Sequence, residues 1–369
     1  AMDTRLENHV RKHRKADGLS QKALAELLGV SRQAIHAIET GAQVPSTSLG
    51  LRMARVFGCG MEDLFRLAAD PGIRASLAPA APGCGNSSRV ALGRVDGRWV
   101  AHRLPPHGLT AADGILAGEV KGSQADVQPL ADVGHLVRNV LVAGCAPLLG
   151  AVAQRVGRRY NDSRVTWLRA GNARALDLLA RGLVHVAGMH FADRNGDAGT
   201  AAAARKALPG RRLLVINLTR WRQGLIVAAG NPLGIDSGAD LLRPGLRVAQ
   251  REEGSGAHEG AARLAAKGNS ALPSGGPAAG GHGEVARLVR TGTADVGIAI
   301  ESAALAEGLD FIPLADERFD LVVPEALATR KHVTRLLDAV DDPGFRAEVG
   351  HLPGYDGSLS GQVTTVEAA

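Results

Sequence analysis

LSQKALAELLGVSRQAIHAIE, residues 19–39, is the stretch whose reading decides how this chain is organised. Ser20 is placed to cap a helix, because a serine hydroxyl accepts one of the backbone N–H groups left free at a helix start. Gln21 to Leu28 are good helix formers, and Leu24, Leu27 and Leu28 share one face at i, i+3 and i+4 spacing. Gly29 suits the left-handed residue that commonly ends a helix. Ser31 repeats the cap, and a second helix is predicted from Arg32 to about Ile38. Val30, Ile35 and Ile38 form its inner side, while Arg32, Gln33 and His36 project outward. Two short helices joined by a tight turn are the unit that lays a helix in the DNA major groove. Arginine and glutamine suit bidentate contact with guanine and adenine edges. Ser31, Arg32, Gln33 and His36 are therefore candidate DNA contacts, and Gln21, at a helix N-terminus, is a candidate phosphate contact.

The flanks complete a small helical domain. A basic amphipathic helix is predicted over Leu6 to Lys15, and two more over Ser46 to Phe57 and Met61 to Leu67. With Leu19-Ser20-Gln21, Ala23-Leu24-Ala25, Gly29-Val30-Ser31, Ile38-Glu39-Thr40-Gly41, Pro45 and Ala54-Arg55-Val56-Phe57, residues 5–68 resemble the lambda-repressor-like, XRE-type helix-turn-helix family. The resemblance implies an operator-DNA partner and a homodimer. His36 stands where that family commonly has a small polar residue, so no target sequence is carried over.

Bulk properties are consistent and less decisive. A chain of 369 residues predicts two or more domains. The net charge of +6 favours an anionic partner. Residues 1–72 hold 10 Lys and Arg against 8 Asp and Glu, so most of the basic excess lies beyond the head. Cys59, Cys84 and Cys145 have no metal-binding spacing. No metal or cofactor is expected, and the thiols are expected to be reduced in a cytoplasm. The polar N-terminus predicts no signal peptide, and no apolar run is long enough to span a membrane.

Residues 69–88, rich in Ala, Pro and Gly, are predicted to be a flexible linker. Residues 89–135 follow as a small β-rich connector, with alternating apolar residues around Asp96-Gly97 signalling a hairpin. From 136 to 360 strands and helices alternate, which argues a parallel sheet with helices on both faces. One α/β half is expected over 138–192 with the C-terminal tail, and a second over about 230–322. Strands are predicted at Gly224 to Ala228, Asp310 to Pro313 and Arg318 to Val323. A helix is predicted over Val285 to Arg290, after a mobile loop at residues 268–283.

Gly144-Cys145, Gly171-Asn172 and Gly254-Ser255-Gly256 each stand just before a predicted helix, where close backbone approach and free N–H groups favour an anion. Cys145, Gly171, Asn172, His190, Arg222, Arg251, Ser255 and Gly256 are the candidate ligand residues. The strings Arg181-Gly182-Leu183-Val184-His185-Val186-Ala187-Gly188-Met189-His190 and Arg290-Thr291-Gly292-Thr293-Ala294-Asp295-Val296-Gly297-Ile298-Ala299 resemble the paired strings of type II periplasmic-binding-protein folds. Together with Gly230-Asn231-Pro232, the REEGSG segment at 251–256, Phe319-Asp320-Leu321-Val322-Val323-Pro324 and Gly354-Tyr355-Asp356, they resemble the cytoplasmic domain related to molybdate-binding proteins. Ala146 and His258 replace an acidic residue and an arginine common in that domain.

The fold class expected is therefore multidomain: an all-α helix-turn-helix head, a small β-rich connector and an α/β type II periplasmic-binding-protein-like two-lobed domain. The function expected is a one-component transcription regulator, not an enzyme, sensing a molybdate- or tungstate-like oxyanion, a molybdenum-cofactor-related compound or a small organic anion. An enzyme, or a repressor with a ligand-free scaffold, stays open as an alternative. The residues show no nucleophile–base pairing and no metal cluster by spacing.

Overall fold

In the computed structural model, residues 6–67, 72–192, 198–267 and 275–368 are described. Backbone contacts divide the chain into two compact units, residues 1–71 and 72–369.

The first unit has helices at Val10–Ala16, Gln21–Leu28, Arg32–Glu39, Thr47–Phe57 and Met61–Leu64. Both expected caps form: Ser20 Oγ accepts from Ala23 N at 3.0 Å and Ser31 Oγ from Ala34 N at 3.1 Å. Gly29 closes the first of these helices in the left-handed region, at φ 62°. Val10, Leu24, Leu28, Ile35, Ile38, Met53 and Leu64 form the core. Three local expectations are corrected. Leu6–Asn8 is a strand paired antiparallel with Phe65–Leu67, so the first helix starts at Val10 and the last ends at Leu64. Main-chain pairing between the two ends of the domain overrides the helical period there. Leu27 is 61% exposed, because the core is filled by Leu24 and Leu28.

The second unit opens with a closed five-stranded barrel in the order Ile73–Leu77, Arg98–Arg103, Arg89–Val95, Gly114–Lys121, Gln124–Pro129. The expected hairpin turn is present, with Asp96 and Gly97 at φ 47° and 81°, the positive values that a two-residue hairpin loop of this kind requires. Residues 69–71 of the linker expected over 69–88 lie outside the described residues, and the rest of that expectation is corrected in part. Ile73–Leu77 pairs with Arg98–Arg103 and Gln124–Pro129, burying Ile73 and Ala75 inside the barrel. The barrel is also no loose connector. Asn139, on the first strand of the following domain, donates to Leu92 O at 2.6 Å, and the Asp113 carboxylate accepts from Leu92 N at 2.9 Å and pairs with Arg164. His102 Nε2 meets Leu183 O at 2.7 Å.

Beyond the barrel lies a ten-stranded mixed sheet. Asn139–Gly144, Arg164–Arg169 and Val186–Ala192 form one parallel group, and Val248–Arg251, Ala278–Ala279 and Val296–Ile300 the other. Two 15-residue strands, Leu213–Val227 and Asp310–Pro324, run antiparallel to each other through both groups. Each was expected as shorter pieces. Arg318 to Phe319 pairs with the first lobe, and Phe311 to Asp310 continues beside the second, so the second half cannot end cleanly at 322. The C-terminal tail packs on the first lobe as expected and extends past 360, where Val363–Val366 adds a strand to Leu213–Ile216.

Candidate functional site

In the head, Ser31, Arg32, Gln33 and His36 are exposed on the outer side of Arg32–Glu39. Gln21 is half-buried, and its Nε2 donates to Glu39 Oε2 at 2.9 Å. Arg14 Nη2 reaches the same oxygen at 3.1 Å, and Arg14 Nη1 donates to Leu19 O at 2.7 Å. Burial opposes ionisation of Glu39, but the bonds from Arg14 and Gln21 outweigh it and hold its carboxyl below the usual range. This lock ties together the three helices Val10–Ala16, Gln21–Leu28 and Arg32–Glu39 and engages the Gln21 amide within the protein.

In the second unit the parallel strands of both lobes end at one cleft, as open α/β sheets place their ligands. Asn139–Gly144 leads into Cys145 and the helix Leu148–Arg159. Arg164–Arg169 leads into Gly171 and the helix Asn172–Ala180. Across the cleft, Val248–Arg251 leads into Ser255 and the helix Gly256–Lys267, and Ala278–Ala279 leads into the helix His282–Arg290. Four helix N-termini therefore converge. The last helix begins at His282, three residues before its expected start at Val285; residues 268–274 of the expected mobile loop lie outside the described residues.

The cleft is closed. Ala173 N of the first lobe donates to Gly254 O of the second at 3.1 Å. Gly256 carries no side chain where a Cβ would lie 2.2 Å from His190 Cε1. Gly171 lies against Ser255, with 3.3 Å between a built Cβ and the Ser255 Cα.

His190, 2% exposed, is the centre of the site. Asn172 fixes its backbone in both directions, donating to His190 O at 2.8 Å and accepting from His190 N at 3.1 Å. Its Nδ1 lies 2.6 Å from Glu317 Oε2. The same oxygen accepts from Gln223 Nε2 at 2.9 Å and Trp221 Nε1 at 3.1 Å. Trp221 and Glu317 are register partners at the middle of the two long strands. Burial alone would depress the His190 imidazole. The Glu317 carboxylate and the Cys145 side chain reverse that and raise it to about 10. Glu317 is correspondingly lowered: burial opposes its ionisation, and His190 more than compensates. His282 is buried and pushed well below its ordinary value by that burial and by the nearby Arg251 charge.

A cavity of about 30 Å³ adjoins this cluster, lined by Cys145, Trp167, Arg169, Glu252 and Gly280 to Gly283. Arg251 is 7% exposed and grips Glu252 through Nε and Nη2, both at 3.1 Å. Ser255 Oγ is buried and accepts from His258 N at 3.2 Å, capping its helix.

The fold thus brings together Cys145, Gly171, Asn172, His190, Arg251, Ser255 and Gly256. It does not bring in Arg222, whose guanidinium turns away from the cleft and bonds Glu301 Oε1 at 2.7 Å. Along a strand, alternate side chains face opposite ways, so burying Trp221 and Gln223 in the cleft puts Arg222 outside. Sequence reading missed Glu317, Trp221, Gln223, His282 and Arg169. It also found no metal cluster, yet ligand atoms of Cys145, His190 and His282 lie within 4.8 Å of one another. Positions 145, 190 and 282 form no motif; only the closed sheet brings them together.

Comparison with known proteins follows this division. A family model described as PBP superfamily domain matches residues 153–341, and one described as helix-turn-helix matches residues 10–64. The uncharacterized protein YvgK of Bacillus subtilis (strain 168) is 31% identical over 234 residues, 61% of this chain and 73% of YvgK. The uncharacterized HTH-type transcriptional regulator YgzD of the same organism is 44% identical over 62 residues, 17% of this chain and 94% of YgzD. Among solved structures, an ABC-type phosphate transport receptor from Vibrio cholerae is similar at 12% identity and a TM-score of 0.42, over 59% of this chain and 99% of the receptor.

Proposed function

The chain belongs to the PBP superfamily domain family, with a helix-turn-helix head of the transcriptional-regulator type, and on that premise we propose that its ligand is a single small oxyanion of the molybdate or tungstate class. Its family membership makes this a DNA-binding regulator with a ligand-binding domain. The oxyanion reading is carried by a cavity of about 30 Å³ that Arg169 lines together with the residues opening two helices, Cys145 and Pro147 before Leu148–Arg159 and Gly280 to Gly283 at the start of His282–Arg290. Helix N-termini carry free N–H donors and positive partial charge. One water needs at least about 10–15 Å³ of such space, so the closed cavity suits an ion of a few atoms better than a pterin.

Ligand bound across the cleft holds the lobes closed. Closure alters operator affinity only to the extent that the ligand prefers one of two DNA-binding states. The regulator acts as a homodimer in the cytoplasm, with Arg32, Gln33, His36 and the Ser31 helix start at the DNA, and it performs no catalysis.

A thermal-shift screen against molybdate, tungstate, sulfate and phosphate, on the protein as purified and after chelator treatment, tests this. A ligand of the native state at a hundredfold excess over Kd stabilises by about 2.7 kcal/mol. Stabilisation by a pterin or an organic acid alone, or by nothing, refutes the oxyanion reading.

A further inference from the structure

The side chains at the base of the cleft are unusual company for an anion alone. Cys145, His190 and His282 each direct one ligand-type atom into a space where all such atoms lie within 4.8 Å of one another. They come from three separate elements: the turn after Asn139–Gly144, the strand Val186–Ala192 and the start of His282–Arg290. We propose that these three residues form a site for a thiophilic divalent cation of the Zn²⁺ class, with the fourth coordination position open to the adjoining cavity.

Four observations carry this. Glu317 accepts at His190 Nδ1, 2.6 Å away. A proton held there leaves Nε2 as the coordinating atom, and a carboxylate behind a ligating histidine is the usual outer partner of a bound metal. His282 is 3% exposed, and its Nε2 has no hydrogen-bond partner among the described residues. A buried imidazole nitrogen left without a partner is a costly arrangement, and coordination would satisfy it. The rings are held by packing: Trp221 meets His190 edge-on at 5.3 Å and His282 at 5.6 Å, and Phe319 stacks on His190 at 6.2 Å. Finally, Cys145 and His282 also line the cavity, so the missing position of a three-ligand site faces open space.

The charges agree with a divalent ion. Binding displaces the Cys145 thiol proton and the Nε2 proton of His190, and one thiolate with two neutral imidazoles around M²⁺ then leaves +1, which the Glu317 carboxylate balances. Arg251 stands 3.5 Å from His282 Nδ1, but its own charge is balanced by Glu252. Tetrahedral Zn–N and Zn–S bonds of about 2.0 and 2.3 Å require the three atoms to draw together slightly. Three protein ligands with a fourth place left open is the arrangement that lets a metal take an exchangeable ligand. Here that ligand would be an oxygen of the anion proposed above, and this one detail rests on that reading.

The test is cobalt titration of the chelator-stripped, full-length protein, followed by absorbance. The expected result is one Co²⁺ per chain, with the intense visible bands of a tetrahedral site and a near-ultraviolet thiolate-to-cobalt band, both bleached by Zn²⁺. In Cys145→Ser the near-ultraviolet band disappears, while a Cys59→Ser, Cys84→Ser variant keeps it. Thermal unfolding in chelator shows that each variant folds. Stoichiometric cobalt binding that persists with its thiolate band in Cys145→Ser overturns the proposal, as does binding no tighter than in a folded His282→Asn variant. The oxyanion screen is run on the same chelator-stripped protein with and without one equivalent of Co²⁺, and only failure in both counts against the anion. Anion stabilisation without cobalt binding overturns the metal site and leaves the oxyanion reading standing; cobalt binding without anion stabilisation does the reverse.

Discussion

Gly256→Ala separates closure of the cleft from folding of the domain. Gly256 opens the helix Gly256–Lys267 in the second lobe, and His190 lies on a strand of the first. An added Cβ would stand 2.2 Å from His190 Cε1, 2.7 Å from Nε2 and 2.8 Å from Nδ1. His190 cannot swing away, because Glu317 holds its Nδ1 at 2.6 Å and Asn172 holds its backbone on both sides. The methyl group therefore has to push the lobes apart. Overpacking of this kind costs about 1–3 kcal/mol, and here the cost falls on the closed form alone. An open cleft has no such contact, and alanine is a better helix former than glycine. The expected outcome is a 5- to 150-fold loss of ligand affinity with unfolding of the ligand-free protein little changed. Isothermal titration with the oxyanion identified by thermal shift, beside chemical denaturation of the ligand-free variant, measures both. Unchanged affinity would refute the argument, since it would mean that His190 and Gly256 do not meet in the liganded state. Destabilisation of the ligand-free protein by the full amount would refute it differently, by showing that the cleft does not open.

The other expectations concern the barrel, the buried pair and the head. His102 and His185 join the barrel to the first lobe and are held neutral by burial, each lowered to about 4. The unfolded chain takes up protons below about pH 6.5 and the folded chain does not until about 4, so their contribution is present above 6.5 and lost as pH falls between the two. At 1.36 kcal/mol per unit this is roughly 3 kcal/mol for each histidine, and His102→Gln should flatten that part of a stability–pH curve; an unchanged slope contradicts it. His190 has the opposite sign: raised to about 10, its contribution is complete below 6.5 and is lost as pH rises through 10. Glu317→Gln removes the charge facing His190, so its imidazole, followed by NMR, should titrate far lower, and the buried pair's loss should cost roughly 3 kcal/mol. Arg32→Ala and Gln33→Ala should each weaken binding to operators selected from random duplexes by about 1–3 kcal/mol without moving the melting temperature. Ser31→Ala removes the cap at Ala34 N and should lower head stability by about 1 kcal/mol, read by circular dichroism.

The helix-turn-helix was legible because its determinants are local. Ser20, Gly29 and Ser31 act on backbone groups within a few residues of themselves, and Ile35 and Ile38 announce their burial by spacing. The glycine turns before the helices at Asn172 and Gly256 were legible for the same reason, and they locate the cleft. The remaining features are consequences of long-range pairing. Leu6–Asn8 is a strand only because Phe65–Leu67 returns beside it, and Ile73–Leu77 is a strand only because the barrel closes on it. Glu317 lies in a charged run, Asp316-Glu317-Arg318, that by itself marks a solvated turn. It becomes the acceptor for His190, 127 positions away, because two 15-residue strands set it opposite Trp221. The sequence by itself determined a helix-turn-helix ahead of alternating strands and helices, since periodicity and capping are written in neighbouring residues. Tertiary structure alone decided that Cys145, His190 and His282 meet and that Arg222 does not, because strand register and lobe closure depend on residues far apart in the chain.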